Sequence, residues 1–415
     1  MAGKGALLLV VGFSLIFLTI GKNFGGLSTR AVDNFTDYYA ETVSHDIAVT
    51  GANMAANRIF RDPTWTTGYD NISYQNGIMN VTLTTTDPVL NIKKITSTGT
   101  VKRLSNLGLL EDVTSTVAII LQPSKFSKFA YYSVSEGGTI YWITQDTVYG
   151  PFHTQDYLRV AGNPCFWGKA TTKRGLVKNP STSKPKFYGG YEKGVDLPLP
   201  TDGLTPVLNA ATAGGKVFAG KDTLYLTFVG DSIKYKHRYN GSITTELADS
   251  LAPNGVIFAK NSVLRIQGVV KGRFSVAASD SNSNGRGKIY LDDNITYNSD
   301  PRTNPNSTDM LGIIAKNDVL ITENAVNNND IHIHASIYSE SNGFGAQNHS
   351  TRPVSGRIHL LGGIIQNTRK AVGTFSGSTI TAGFAKSYRY DDRLMFSSPP
   401  FYPGTGGFEI VSWLE

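Results

Sequence analysis

Two histidines separated by one residue are the first candidates for chemistry in this chain. His332 and His334 would lie on one face of a strand, about 6.5–7 Å apart, because side chains alternate along a strand. With His349 or His359 nearby they could bind a metal ion, since imidazole nitrogens are common zinc ligands. Alternating polar side chains on the solvent face of a strand account for the same pattern. We therefore predict no metal site here.

Adjacent carboxylates occur twice, as Asp292-Asp293 and as Asp391-Asp392. An enzyme that cleaves polysaccharide needs two acids that converge on one glycosidic bond. Neighbouring residues of a strand point to opposite faces, so neither pair converges, and we expect turn acids instead.

His153 and Asp156 form a third candidate, but no serine or cysteine nucleophile accompanies them in a recognisable arrangement. The chain also has no P-loop, GxSxG, HExxH or CxxC motif. We predict no catalytic residue and no cofactor, and expect a protein that is not an enzyme.

The element most informative about function is the first sixty residues. The uncharged run from Ala6 to Ile20 would be about 22 Å long as a helix. A hydrocarbon core of about 30 Å needs about twenty residues. Extension past Gly21, with Lys22 reaching the interface, makes the run adequate. We assign 6–21 as a membrane segment within a helix over 6–62.

An apolar pattern continues after the membrane segment at spacings of three and four, which predicts one face of the same helix. Asp62-Pro63 ends the pattern, because a proline disfavours helical geometry in the residue before it. We expect the segment Leu27–Ile59 to dock a β-rich head. The residues of the pattern are Leu27, Ala31, Phe35, Tyr38, Tyr39, Val43, Ile47, Met54, Ala55 and Ile59.

This N-terminus resembles that of type IV pilins and pseudopilins. In that family a short basic leader ends in glycine, a prepilin peptidase cuts after it, and the new N-terminus is methylated; Lys4-Gly5 before Ala6 matches. The resemblance implies a leader 1–5 and processing between Gly5 and Ala6. The family usually has Phe or Met where Ala6 stands, and Glu where Val10 stands. Those departures favour a minor or tip subunit. An uncleaved signal anchor is the alternative.

Residues 63–125 alternate between apolar and polar side chains, as in Gly77–Thr84, and β-branched residues are common there. We predict an antiparallel sheet of three to five strands that packs on the helix, as in a pilin head.

Length and composition limit the number and class of the domains that follow the helix. At 415 residues with 17% charged side chains and many glycines, the chain should form two or three β-rich domains. Cys165 is the only cysteine, so no internal disulfide can form. The net charge of +7 is concentrated in 169–193, within a predicted loop 169–215 of a β-rich middle domain 126–250. That loop is either simply solvated or a surface for an anionic polymer. No nucleic-acid-binding motif accompanies it.

Residues 251–370 contain a repeat. Val256–Leu264 resembles Gly312–Leu320, and Gly287–Asn298 resembles Gly356–Asn367. Short strands with small or polar corners favour stacking into a β-helix or solenoid; a sandwich with a duplicated hairpin is the alternative. We expect the aromatic-rich segment 371–415 to cap the stack.

The predicted fold class is mainly β with one long N-terminal α-helix, a pilin-like antiparallel sheet and a β-helix-like domain. Three functions remain open. The first is a minor or tip subunit, or an assembly factor, of a type IV pilus or type II secretion-like filament. Its partners would be other pilin-like subunits, inner-membrane lipid and prepilin peptidase, with the head outside the inner membrane. The second is a membrane-anchored enzyme acting on polysaccharide. The third is a static surface adhesin or scaffold with an uncleaved anchor.

Overall fold

The computed structural model describes residues 2–88, 91–105, 108–138, 140–144, 146–281, 283–376 and 379–415. The predicted fold class is confirmed: the protein is mainly β, with one long N-terminal helix, an antiparallel sheet and a larger unit of strands. The chain divides into two compact units, Met1–Ser124 with Gly406–Glu415, and Lys125–Thr405.

The first unit consists of helix α1 (Ala2–Arg61) and a five-stranded sheet. Its strands pair in the order in which the chain forms them, with the C-terminal strand Gly404–Leu414 added beside β4. Regular alternation along β3 buries every second side chain against the helix. The first four strands are β1 (Tyr69–Tyr74), β2 (Gly77–Asp87), β3 (Ile92–Leu104) and β4 (Leu110–Lys125).

The C-terminal part of α1 packs on this sheet through small and β-branched residues. Ile47 and Ile59 are fully buried there, and each contributes about 1.5–3 kcal/mol by burial. Gly99 of β3 lies directly against α1: a β-carbon there would meet the Ser44 carbonyl oxygen and come within 2.7 Å of the Ile47 β-carbon. The missing side chain lets the two backbones approach closely. The other buried helix residues in this core are Ala48, Ala52 and Ala55.

The predicted docking segment Leu27–Ile59 is too long. Leu27, Phe35 and Tyr38 are 61%, 67% and 69% exposed, and the buried residues begin at Ala40. At about 100° per residue, Leu27, Phe35 and Tyr38 lie about 90°, 170° and 110° around the helix from the middle of the face that contacts the sheet. The apolar residues of α1 do recur every three or four positions, but they form two faces of the helix. One face is exposed, and the other packs on the sheet.

The second unit begins as a stack of short strands, three to each turn. Pairing is parallel throughout and forms three columns: β5–β8–β11–β14, β6–β9–β12 and β7–β10–β13. The strands are β5 (Tyr131–Ser135), β6 (Trp142–Ile143), β7 (Thr147–Val148), β8 (Phe152–Thr154), β9 (Tyr157–Ala161), β10 (Cys165–Phe166), β11 (Ala170–Thr172), β12 (Gly175–Lys178), β13 (Lys186–Phe187) and β14 (Tyr191–Lys193).

Helix α2 (Leu204–Gly214) then leads to a second run of strands. β17 and β18 form antiparallel pairs beside β16, β28 pairs antiparallel with β29, and the other later strands of the unit again stack in parallel. The elements are β15 (Lys216–Phe218), β16 (Thr223–Gly230), β17 (Ser232–Lys236), β18 (Thr244–Leu247), α3 (Ala248–Leu251), β19 (Val256–Ala259), β20 (Val263–Val270), β21 (Arg273–Ala278), β22 (Ile289–Tyr297), β23 (Met310–Ala315), β24 (Val319–Ile321), β25 (Ile331–Ser339), β26 (Phe344–Ala346), β27 (Val354–Thr368), β28 (Gly373–Ser376) and β29 (Thr379–Arg389). The last strand, β30 (Gly404–Leu414), is the one that joins the sheet of the first unit.

The two runs join in one parallel column, β15–β19–β21–β23–β25–β27–β5–β8–β11–β14. Ile364 of β27 lies opposite Tyr131 of β5, so the first strand of the unit sits in the middle of the column. The side chains on one face of this column point into the main hydrophobic core of the unit. Its other face, which includes Tyr338, is covered by α2 and by Tyr402.

The structure differs from the expected division of this region. The predicted boundary at 250/251 falls inside the second unit. Residues 169–215, predicted as a loop, contain β11 to β14 and α2. Strands of two to four residues are too short to show a period in sequence, and their pairing comes from the neighbouring turn of the stack rather than from their own composition.

The structure also differs from the predicted repeat in 251–370 and from the predicted cap in 371–415. The two copies of the first phrase place β19 and β23 in one column, with β21 between them. In the second phrase, Ile289 pairs within the column of β20 and β24, whereas Ile358 pairs with β25 and β29. Segment 371–415 does not simply cap the stack, because β29 pairs within it and β30 joins the antiparallel sheet.

Candidate functional site

The N-terminal third of α1 is the most conspicuous surface of the described chain. Its apolar side chains lie on all sides of the helix and are exposed, Leu8 at 73% and Phe17 at 70%. By length and composition, this helix is a candidate to cross a membrane. Gly5 and Ala6, the predicted processing residues, lie in its first turns, and nothing within 4 Å would meet a β-carbon at Gly5.

A second exposed apolar surface follows on the same helix, between the membrane segment and the buried residues. We name it the mid-helix face and define it by Leu27, Phe35 and Tyr38, with Tyr39 at its side. The rings of Phe35 and Tyr39 stack with centroids 6.4 Å apart. Leaving such large side chains in water costs free energy, so this face is a candidate for contact with another molecule.

Polar contacts fix α1 to its sheet just below the mid-helix face. Arg103 of β3 forms ion pairs with Asp37 of the helix and, at 2.7 Å, with Glu111 of β4. The hydroxyl groups of Ser44 and Ser115 lie 2.7 Å apart. These contacts hold the helix in one rotational setting, so that the mid-helix face stays turned away from the sheet.

The structure gives His153 and Asp156 separate structural partners. His153 is buried, its Nδ1 lies 2.7 Å from the Thr171 hydroxyl and its Nε2 lies 3.2 Å from Gln155 Oε1. Burial lowers the pKa of His153. Asp156 accepts the backbone N–H of Tyr157 at 2.8 Å. The two side chains therefore do not form a catalytic pair.

His332 and His334 are also divided between different environments. The exposed His332 ring stacks on His359 at 4.6 Å. His334 is buried, and its Nδ1 accepts the backbone N–H of Tyr297 at 3.1 Å. Among the described residues, no group of three or more His, Cys, Asp or Glu side chains could hold a metal ion.

In each of the two acidic pairs, the first aspartate forms an ion pair with an arginine. Asp292 binds Arg265 through both oxygens, at 2.6 and 2.9 Å. Asp391 similarly binds Arg393, at 2.6 and 2.9 Å, and begins a short 3₁₀ helix at Asp392–Met395. Asp391 and Asp292 thus stabilise local structure, although they lie in or beside regular elements rather than in the turns we expected.

A buried charge network that the sequence did not predict surrounds Glu136. Glu136 is fully buried and accepts hydrogen bonds from Tyr131 at 2.8 Å, from Trp142 at 2.9 Å and from Arg369 at 3.0 Å. Burial raises the pKa of the Tyr131 hydroxyl well above its ordinary value. No local motif marks these residues, since Arg369 is distant in sequence. Every hydrogen-bonding atom of the carboxylate is used within the fold, which identifies a structural network.

Comparison with known proteins adds little to this description. No protein-family model matches the chain, and no curated protein matches it. Among solved structures it is similar to the crystal structure of the competence-associated pilin ComZ from Thermus thermophilus, with 13% identity and a TM-score of 0.37 over 92% of this chain and 96% of that one. A likeness at this level supports no conclusion about the function of this chain.

Proposed function

We propose that this chain is a non-enzymatic, membrane-anchored, pilin-like envelope protein. It would act as a minor or tip subunit, or as an assembly factor, of a type IV pilus or type II secretion-like filament. The observation that carries the proposal is that α1 has two exposed apolar surfaces, and the sheet of its own unit covers neither. A helix with one such surface needs only a membrane, whereas a helix with both also needs a protein partner.

The first surface would lie in lipid. Residues 6–21 contain no charged side chain. Lys22 follows them directly, and its long side chain can extend the ammonium group to the membrane interface. The chain would cross the inner membrane once, with the β-rich head in the periplasm or outside the cell. We propose that the stacked strands of the head are a β-helix.

The mid-helix face would contact other pilin-like subunits. It lies beyond the membrane segment and away from the sheet, so a neighbouring helix can reach it without displacing that sheet. Its large rings favour burial between helices. Val10 cannot make the charge contact that a glutamate makes with a neighbouring N-terminus in the pilin family. A subunit without that contact suits a single position in a filament better than a repeated one.

Processing at the leader gives the first test. The full chain is expressed together with a prepilin peptidase, and its mature N-terminus is read by mass spectrometry. We expect a product that begins at methylated Ala6, and we expect Gly5→Leu to abolish cleavage. Gly3→Leu is the matched control, since Gly3 lies in the same leader away from the cut. If the native chain keeps its leader, the pilin-like interpretation fails and the N-terminal helix is an uncleaved signal anchor.

Contact with other subunits gives the second test. A photo-crosslinking amino acid replaces Phe35 on the mid-helix face, and in a separate variant replaces the exposed Phe60, which lies near the end of the helix. In cells that assemble the filament, the probe at Phe35 should capture a pilin-like subunit and the probe at Phe60 should not. Equal capture at both positions would show that the mid-helix face is not a specific contact.

A further inference from the structure

A cleft on the outside of the stacked strands lies far along the chain from α1. It has a volume of about 370 Å³ and is formed by β16, β17, β20 and β22 with the loop after β17. The inner side chains of β16, such as Leu226, belong to the core, and alternate residues such as Tyr225 point into the cleft. Volumes of this order suit small ligands.

A row of alternating cations and aromatic rings crosses four paired strands, and Lys236, Tyr225 and Arg265 of this row line the cleft. Lys236, Tyr225, Arg265 and Tyr290 stand opposite one another in register. The Lys236 ammonium lies 5.3 Å from the Tyr225 ring centre, and the Arg265 guanidinium lies 4.9 Å from that of Tyr290. Cation–π contacts at these distances hold the row in place without neutralising its charge.

One wall of the cleft is an aromatic ring that its own fold leaves uncovered. Tyr239 is 75% exposed, and its ring makes an edge contact with Tyr225 at 6.4 Å between centroids. The Lys236 ammonium also lies 5.4 Å from the Tyr239 ring and donates to the Tyr239 carbonyl oxygen. The ring is thus held at the mouth of the cleft with much of its apolar surface in water.

Polar groups suited to hydroxyl recognition lie below that ring. Arg265 and Asp292 form a planar, doubly hydrogen-bonded pair, and Asp292 also accepts the Thr322 hydroxyl at 2.6 Å. Gln267 and Thr227 stand opposite each other in the next row and both line the cleft. Fixed donors and acceptors beside an exposed ring match a sugar, which has hydroxyl groups at its rim and apolar C–H groups on its faces.

The charge of the cleft selects among sugars. Three cations, Lys234, Lys236 and Arg265, line it together with one carboxylate, Asp292, which Arg265 neutralises. In the part of the chain that the structure describes, neither Lys234 nor Lys236 forms an ion pair with a carboxylate. Two ammonium groups therefore remain to attract an anionic ligand.

We infer that this cleft binds an acidic carbohydrate, one or two uronic acid units long. The exposed face of Tyr239 packs against the sugar ring, the Arg265–Asp292 pair and Gln267 bind its hydroxyl groups, and Lys234 and Lys236 bind its carboxylates. This binding site is independent of α1, and it would give the head a ligand on a cell surface or in an extracellular matrix.

The test measures binding of sodium digalacturonate to the full chain by calorimetry. The chain is kept in a polyoxyethylene detergent, because a glucoside detergent would compete for the cleft. We expect a Kd on the order of 1 mM or lower at low ionic strength, and weaker binding in about 0.5 M salt. The neutral disaccharide of the same linkage, galactobiose, should bind at least ~10-fold more weakly.

Variants assign the binding to the cleft. Lys234→Gln with Lys236→Gln, and separately Tyr239→Ala, should each weaken digalacturonate binding by ~10-fold or more. Arg238→Gln is the matched control, since it removes a neighbouring exposed cation that does not line the cleft, and it should change affinity less than ~2-fold. Circular dichroism of each variant checks that the strands remain folded.

Three results would overturn the inference. The first is no binding of digalacturonate by the folded native chain. The second is equal affinity for galactobiose, which would remove the role of the lysines. The third is binding of a single-stranded oligodeoxynucleotide, but not of the sugar, that the double lysine variant abolishes; the cleft would then be a nucleic-acid site. None of these results bears on the processing of the leader, so failure here and failure of the proposed function are distinguishable.

Discussion

The guanidinium group of Arg369 binds the carboxylate of Glu136 at 3.0 Å, although 233 residues separate them. Glu136 follows β5 and Arg369 follows β27, the two strands at which the first and second runs of the stack meet. Both side chains are buried, and Arg369 also lies 4.2 Å from the centre of the Trp142 ring. The ion pair therefore joins the ends of two strands that have no connection near them in sequence.

Arg369→Met should destabilise the second unit by about 3–5 kcal/mol, because it leaves the Glu136 carboxylate buried without its counter-charge. Urea unfolding of the full chain in detergent, followed by circular dichroism, measures the change. Adding Glu136→Gln to Arg369→Met should recover part of the loss, since the remaining buried group is then neutral.

Lys271→Met is the control for that prediction. Lys271 binds Asp231 at 2.6 Å, but the two side chains are 49% and 68% exposed. Water screens such a pair, so its loss should cost less than about 1 kcal/mol. Equal destabilisation by the two single variants would mean that burial of the Glu136–Arg369 pair does not matter to stability.

Gly99→Ala should loosen the packing of α1 on its sheet. The added β-carbon would come within 2.8 Å of the Ala48 nitrogen and would also meet the Ser44 carbonyl oxygen, both of which are helix backbone. We expect a loss of about 1–3 kcal/mol by overpacking, seen as a lower thermal midpoint of the first unit.

Gly26→Ala provides the same chemical change where nothing lies within 4 Å of the new carbon. There the substitution should be neutral or stabilising by up to about 1 kcal/mol, since alanine favours a helix more than glycine does. A similar loss at both positions would show that the close approach at Gly99 is not what matters.

The sequence was sufficient to predict the long helix and the first sheet, because both depend on local signals. The apolar run from Ala6, the spacing of three and four, and Pro63 together define the helix, and α1 ends at Arg61. Alternation predicted β2 and β3. The rotational shift between the mid-helix face and Ala40–Ile59 was missed, since spacings of three and four both fit either face.

The join between β5 and β27 could not be predicted from the sequence. Neither strand contains a signal for the other, and the pairing depends on how many turns lie between them. Helix α2 was missed for a local reason: Gly203 and Pro206 near its start, and Gly214 at its end, are typical of loops. The residues of the cleft were missed because Tyr225, Lys236 and Arg265 become neighbours only when three strands are in register.

Trp167 should stabilise the outside of the first run of strands. Its ring stacks on Tyr149 with centroids 6.3 Å apart and on Tyr188 with centroids 4.3 Å apart, so three consecutive turns present one column of aromatic rings. Trp167→Ala removes both contacts and should cost about 1–3 kcal/mol, measured by urea unfolding.

Phe396→Ala is the comparison for Trp167→Ala, since that ring is 88% exposed. Its removal should change stability by less than about 0.5 kcal/mol. If the two variants lose stability equally, the column of rings makes no contribution beyond ordinary surface burial.

Stability should fall as the pH drops below about 6.5, in part because of His334. Burial lowers the pKa of His334 to about 4, and the nearby Arg302 guanidinium acts in the same direction. In the unfolded chain the pKa is about 6.5. The folded state therefore keeps His334 neutral, with its Nδ1 accepting the Tyr297 N–H at 3.1 Å, while the unfolded state takes up a proton.

Because the folded pKa is lower than the unfolded pKa, acid destabilises the folded state. The stabilisation from neutral His334 is on the order of 3 kcal/mol; it is fully present above about pH 6.5, declines between about pH 6.5 and about pH 4, and is absent below about pH 4. His334→Gln keeps an acceptor for the Tyr297 N–H without titrating, so its urea midpoint should fall less than that of the native chain between about pH 7 and about pH 5. If His334→Gln retained the full acid sensitivity, protonation of other groups, such as the buried His153, would have to account for it.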